Sequence, residues 1–75
     1  MRVPNKLAAI RVEAGLVQQQ LSVQAGVSVA TIVNVERWSH YPEDETRKKI
    51  TDAMSVLTGK TITEYDIWPA ELQAA

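Results

Sequence analysis

Cysteine is absent from this chain of 75 residues, which excludes a disulfide framework, a thiolate zinc site and a thiol nucleophile. Phenylalanine is absent too, one histidine stands alone, and three glycines and three prolines leave few sharp breaks in the backbone. One histidine without cysteine assembles neither a catalytic constellation nor a transition-metal site, so no enzyme, metal or cofactor is expected. The chain also lacks a long apolar run. Its longest uncharged stretch, Leu16 to Val35, is interrupted by four Gln, two Ser, a Thr and an Asn, so neither secretion nor membrane insertion is expected. The length suits one small domain with a modest core and leaves no room for a second domain or a large substrate cavity.

What is present is an uneven distribution of charge. The formal net charge is −1, a weak invitation to nucleic acid if taken alone. Residues 1–42 nevertheless hold Arg2, Lys6, Arg11 and Arg37 against Glu13 and Glu36, whereas residues 43–75 are net acidic. The front of the chain is suited to face phosphates and the tail is not.

Hydrophobic spacing predicts short helices. Asn5 to Ala14 follows Pro4, places Leu7, Ile10 and Ala14 at helical intervals and stops at Gly15. Gln18 to Ala25 carries Leu21 and Ala25 on one face and stops at Gly26. Helices this short are not stable alone in water, so both require packing partners. The next segment supports two readings. Val27, Val29, Thr31, Val33 and Val35 alternate and are all β-branched, the pattern of a strand. Ser28 is a good N-cap, Ile32, Val35 and Glu36 fit a helix, and no strand of comparable quality appears elsewhere to pair with it.

Arg11, Gly15-Leu16, Gln18, Leu21, Gly26-Val27-Ser28, Thr31-Ile32, Val35-Glu36-Arg37 and Pro42 together resemble the Cro and lambda-repressor type of helix-turn-helix domain, the XRE family. The resemblance covers about residues 5–57 and extends into the tail. It implies an all-α, five-helix domain over residues 1–69 with a tail at 70–75, and it makes the segment after Ser28 a helix. Ala25 and Gly26 are expected to let two helix backbones approach closely, with Leu21, Val27, Ile32 and Val35 closing the angle. Two departures stand out. Val17 occupies the position of the usual Thr or Ser cap, at a cost of about 1 kcal/mol. Trp38 replaces a common glycine, and the loop from Trp38 to Tyr41 lacks the lysines and arginines often found there.

The resemblance also implies roles for particular residues. Arg11 and Glu36 stand where the family commonly pairs an Arg late in helix 1 with a Glu late in helix 3, a structural ion pair. Helix 3 is expected in the major groove of double-stranded DNA, with Ser28 and Thr31 at its start and Val29, Ala30, Val33 and Asn34 facing outward. Asn34 then pairs with an adenine at N6 and N7, the valines and Ala30 meet thymine methyl groups, and Arg37 reaches the backbone. Gln18 and Gln19 are placed for phosphate at the positive end of helix 2, and Ser39 and His40 in the loop after helix 3 are further candidates for DNA contact. Blander readings stand beside these: the glutamines as a solvated face, Val29 and Val33 as a protein-binding patch, His40 as an ordinary loop residue.

Beyond Pro42, Glu43-Asp44-Glu45 opens a fourth helix to about Leu57, with Ile50, Ala53, Met54 and Leu57 inward and Gly59 as its stop. Arg47, Lys48 and Lys49 read as a solvated basic face. Thr63-Glu64-Tyr65-Asp66 looks like a capping-box start to a fifth helix, and Ile62, Ile67 and Trp68 are candidates for a lid on the core or for a dimer contact. The functional expectation is a sequence-specific transcriptional regulator in the cytoplasm, associated with the nucleoid. It resembles a phage or mobile-element repressor and acts as a homodimer on a two-fold operator. The alternative is a protein-binding helix-turn-helix module, an antirepressor or adaptor, that uses the apolar face of helix 3.

Overall fold

The computed structural model describes residues 4–39 and 41–70. Five helices form: α1 Leu7–Glu13, α2 Gln18–Ala25, α3 Val29–Glu36, α4 Asp44–Thr58 and α5 Glu64–Ile67. No strand occurs among the described residues, which are all-helical in their regular structure.

The first three helices end in the same way. After α1, Gly15 N–H donates to the Val12 carbonyl and Leu16 N–H to that of Arg11, both at 3.0 Å. After α2, Gly26 N–H reaches Val23 at 3.3 Å and Val27 N–H reaches Ser22 at 3.1 Å. After α3, Trp38 N–H donates to Val35 and Ser39 N–H to Asn34, both at 3.0 Å. Each pair closes a Schellman motif, which satisfies two carbonyls that the helix end leaves open and requires one left-handed residue. That residue is Gly15, Gly26 and, in the third case, Trp38 at φ 62°. At Gly26 an added Cβ meets nothing within 4 Å, while φ is +71°. The expectation that Gly26 serves close helix approach is therefore corrected: the turn needs its left-handed backbone, and the buried small residue there is Ala25.

Helix starts are satisfied by different means. Asn5 Oδ1 accepts from Leu7 N–H at 2.9 Å, so α1 begins two residues later than its sequence pattern suggested. Val17 has no side-chain acceptor, but Gln20 Oε1 accepts from Val17 N–H at 2.8 Å and replaces half of the missing cap. Ser28 Oγ accepts from Thr31 N–H at 3.1 Å and caps α3. Thr63 and Asp66 cap α5 reciprocally.

Leu7, Leu21, Ile32, Val35, Ile50, Met54 and Ile67 are fully buried, with Ala25, Ala53 and Trp68 nearly so. Each large apolar side chain contributes about 1.5–3 kcal/mol by leaving water. This decides the conformation of α3: Ile32 and Val35 both enter the core only if the segment is helical, and that gain exceeds the roughly 0.5 kcal/mol propensity cost of each β-branched residue. Leu57, Ile62 and Ile10 pack against the core half-buried, whereas Ala14 is exposed.

The tail closes over this core. Ser55 Oγ donates to the Ile62 carbonyl at 3.0 Å and accepts from Ile62 N–H at 2.9 Å. Lys6 N–H donates to the Ile67 carbonyl at 2.7 Å. Trp68 meets Tyr41 edge-to-face with ring centroids 6.2 Å apart, and its buried indole N–H has no hydrogen-bond partner among the described residues.

Arg47 departs from the sequence expectation of a solvated face. Its side chain is 13 % exposed. It donates to Glu64 at 2.8 Å, to the Pro42 carbonyl at 2.6 Å and to Asp44, and its guanidinium lies 4.3 Å from the Tyr41 ring centroid. The hydrogen bond to Glu64, outweighing desolvation, raises its pKa above the ordinary arginine value. One residue thus fastens the loop before α4 to α5. Lys48 and Lys49 do remain on the surface, paired to Asp52 and Glu45 one turn away.

Candidate functional site

The end of α3 is held by two independent clamps. Arg11 Nε donates to Glu36 Oε2 at 2.6 Å and Nη2 to Oε1 at 3.1 Å, while Nη1 reaches the Leu16 carbonyl at 2.7 Å. Gln18 Nε2 donates to the same Glu36 Oε1 at 3.0 Å. With the Arg11 and Glu36 side chains only 13 % and 6 % exposed, this bidentate pair is shielded from screening, and the hydrogen bond that Arg11 donates to Glu36 raises the Arg11 pKa against the opposing effect of burial. It joins α1, the following loop, the first residue of α2 and the last residue of α3. The second clamp is Asn5, whose Nδ2 donates to the Val35 carbonyl at 2.8 Å.

Successive helical residues turn by about 100°. With Ile32 and Val35 inward, the opposite side of α3 and its C-cap presents Ala30, Val33, Asn34 and Arg37. Ala30, Asn34 and Arg37 are exposed and Val33 is half-buried; Val29 lies on the flank, also half-buried. This face is short and apolar at its centre, with one amide and one guanidinium. From Gln18 to Ser39 Arg37 is the only cation, because α2 carries no charge and α3 only Glu36.

Several of the other candidate residues are engaged internally. Gln18 has one amide N–H committed to Glu36 and one remaining. Ser28 and Thr31 hydroxyls lie 2.9 Å apart, and Ser28 also caps the helix. Ser39 Oγ donates to the Asn34 carbonyl at 2.7 Å. Gln19 is exposed. His40 lies outside the described residues. The structure thus gathers Ala30, Val33, Asn34 and Arg37 on one face and gives Gln18, Ser28, Thr31 and Ser39 internal hydrogen bonds that steady it.

Two structural roles go beyond the sequence reading: the bond from Asn5 to Val35 and the inward turn of Arg47 to Glu64. Asn5 has a local signal, an Asn two positions before the first helical leucine, but its bond to Val35 joins residues 30 positions apart and leaves no local trace. Arg47 was hidden by its lysine neighbours. Beside the face, Glu43 and Thr31 line a shared notch with Tyr41, so the acidic start of α4 adjoins the start of α3.

No helix is long and apolar enough to cross a membrane among the described residues, and no group of His, Asp and Glu there is placed to hold a metal. Comparison with family models, curated proteins and solved structures found no match to the chain.

Proposed function

We propose that α2 and α3 form a helix-turn-helix and that the chain is a sequence-specific DNA-binding regulator, inserting α3 into the major groove and acting by occupancy as a homodimer on a two-fold operator. The observation that supports this most is the firm seating of α3: Ser28 caps its start, Ile32 and Val35 anchor it, Glu36 and Asn5 hold its end, and the remaining side is free for contact. Within that reading Asn34, exposed and without a side-chain hydrogen bond among the described residues, pairs bidentately with adenine, and Ala30 and Val33 meet thymine methyl groups. Arg37 and the spare N–H of Gln18 reach phosphate.

Selection from a random duplex pool tests this. Sites requiring an adenine, bound with an affinity that falls as salt rises, are expected, since phosphate contacts release counterions. Asn34→Ala is expected to lose about 1–3 kcal/mol on the selected duplex. An unenriched pool, or G-rich sites without a required adenine, overturns the assignment.

One observation favours a second reading. A single cation from Gln18 to Ser39, beside the acidic start of α4, suits a protein partner better than a polyanion. A protein-binding module using Ala30, Val29 and Val33 is then expected to associate without salt dependence and without duplex binding.

A further inference from the structure

We infer that the groove between the end of α1 and the end of α4 is the surface on which a second copy of this chain docks. Ile10 and Ala14 form one wall, Leu57 and Ile62 the other, around an open groove of about 330 Å³. Ile10, Leu57 and Ile62 are packed against the core yet stay half-buried, so apolar surface is left facing outward, and Val56 beside Leu57 is 64 % exposed. Glu13 stands on the α1 wall and Lys60 beyond the α4 end. Both are exposed, and neither has an ion-pair partner among the described residues.

This arrangement of charge selects the occupant. A two-fold axis lying along the groove exchanges its walls between the facing copies, so that Glu13 of each copy meets Lys60 of the other and the apolar walls meet in between. Such reciprocity is the requirement of an isologous interface. A charged rim around an apolar centre is also the anatomy of protein interfaces in general. An unrelated partner needs its own matching pair of opposite charges, whereas a second copy brings it by symmetry.

The inference deepens the proposed regulator, because a dimer is what a two-fold operator demands, yet its test needs no DNA. Sedimentation equilibrium over a concentration series is expected to show a monomer–dimer equilibrium for the wild type. Glu13→Lys and Lys60→Glu, each alone, place like charges together twice per dimer and are expected to weaken it about tenfold or more. The double variant Glu13→Lys/Lys60→Glu restores the homodimer. An equimolar mixture of the two single variants is expected to form a heterodimer more tightly than either variant pairs with itself. A wild type that stays monomeric throughout, or single variants that dimerise as the wild type does, overturns the surface. Failure of duplex selection by a protein that does dimerise in this way overturns the DNA reading alone.

Discussion

Glu36 is the residue whose removal should be felt most. It accepts from Arg11 twice and from Gln18 once in a nearly closed environment. Glu36→Ala leaves the guanidinium buried without its counter-charge, and a loss of about 3–5 kcal/mol is expected in urea unfolding; a loss below about 1 kcal/mol contradicts the clamp. The Arg11 pKa is raised by the pair, so its contribution is full below the unfolded arginine value and fades only as pH climbs through the still higher folded one. The loss on Glu36→Ala is therefore the same at about pH 7 and about pH 9. Trp68 gives the opposite expectation. Its ring is buried but its N–H donor is unpaired among the described residues, so Trp68→Phe sheds the cost of an unmade hydrogen bond along with some packing. Thermal unfolding is expected to show a change of less than about 1 kcal/mol, where an ordinary large-to-small core change costs more.

At the scale of the element, the end of α3 is set apart from the two before it. It makes the same Schellman closure, but with Trp38 where α1 and α2 use glycine. A left-handed non-glycine residue costs roughly 1–2 kcal/mol. Trp38→Gly and Trp38→Ala both remove the indole, so comparing them isolates the backbone: the glycine variant is expected to be more stable by about 1 kcal/mol in denaturant midpoints. The elements also show what was legible. Gly15, Gly26 and Gly59 marked three helix ends correctly because a left-handed residue is a local need. Thr63 and Asp66 disclosed α5 for the same reason. Ile50, Ala53 and Met54 gave the inner face of α4 by spacing alone. The valines of α3 fit a strand as well as a helix; the resemblance favoured the helix that forms, and the burial of Ile32 and Val35, a tertiary event, is its physical reason. The Arg11–Glu36 pair came from resemblance; Asn5 and Gln18 beside it, and Arg47 between α4 and α5, make long-range bonds that no local pattern encodes.

Across the whole molecule, charge is arranged so that the proposed reading face has little electrostatic help. Arg11 and Arg47 are both turned inward to carboxylates, leaving Arg37 on the face and Glu43 beside its start. Under the proposed DNA reading, fit rather than attraction governs affinity, and removing an acid near the phosphate backbone is expected to help. Glu43→Gln is expected to raise affinity for the selected duplex about two- to fivefold at low salt, with the gain disappearing as salt rises past the point where the Debye length falls to a few ångströms. Titration of duplex at two ionic strengths checks it, and an unchanged affinity at low salt places the α4 start away from the nucleic acid.

The hydrogen bond from Lys6 N–H to the Ile67 carbonyl brings the front and rear of the described chain side by side. The start of α1 therefore sits beside the end of α5, so the two can be joined without crossing the core. A circular permutant that links residue 70 to residue 4 through a short flexible segment and opens the exposed turn at 59–61 should keep α1 against α5 and fold to the same structure. The same proximity suits tandem fusion, in which one gene encodes two joined copies whose spacing is set by the linker.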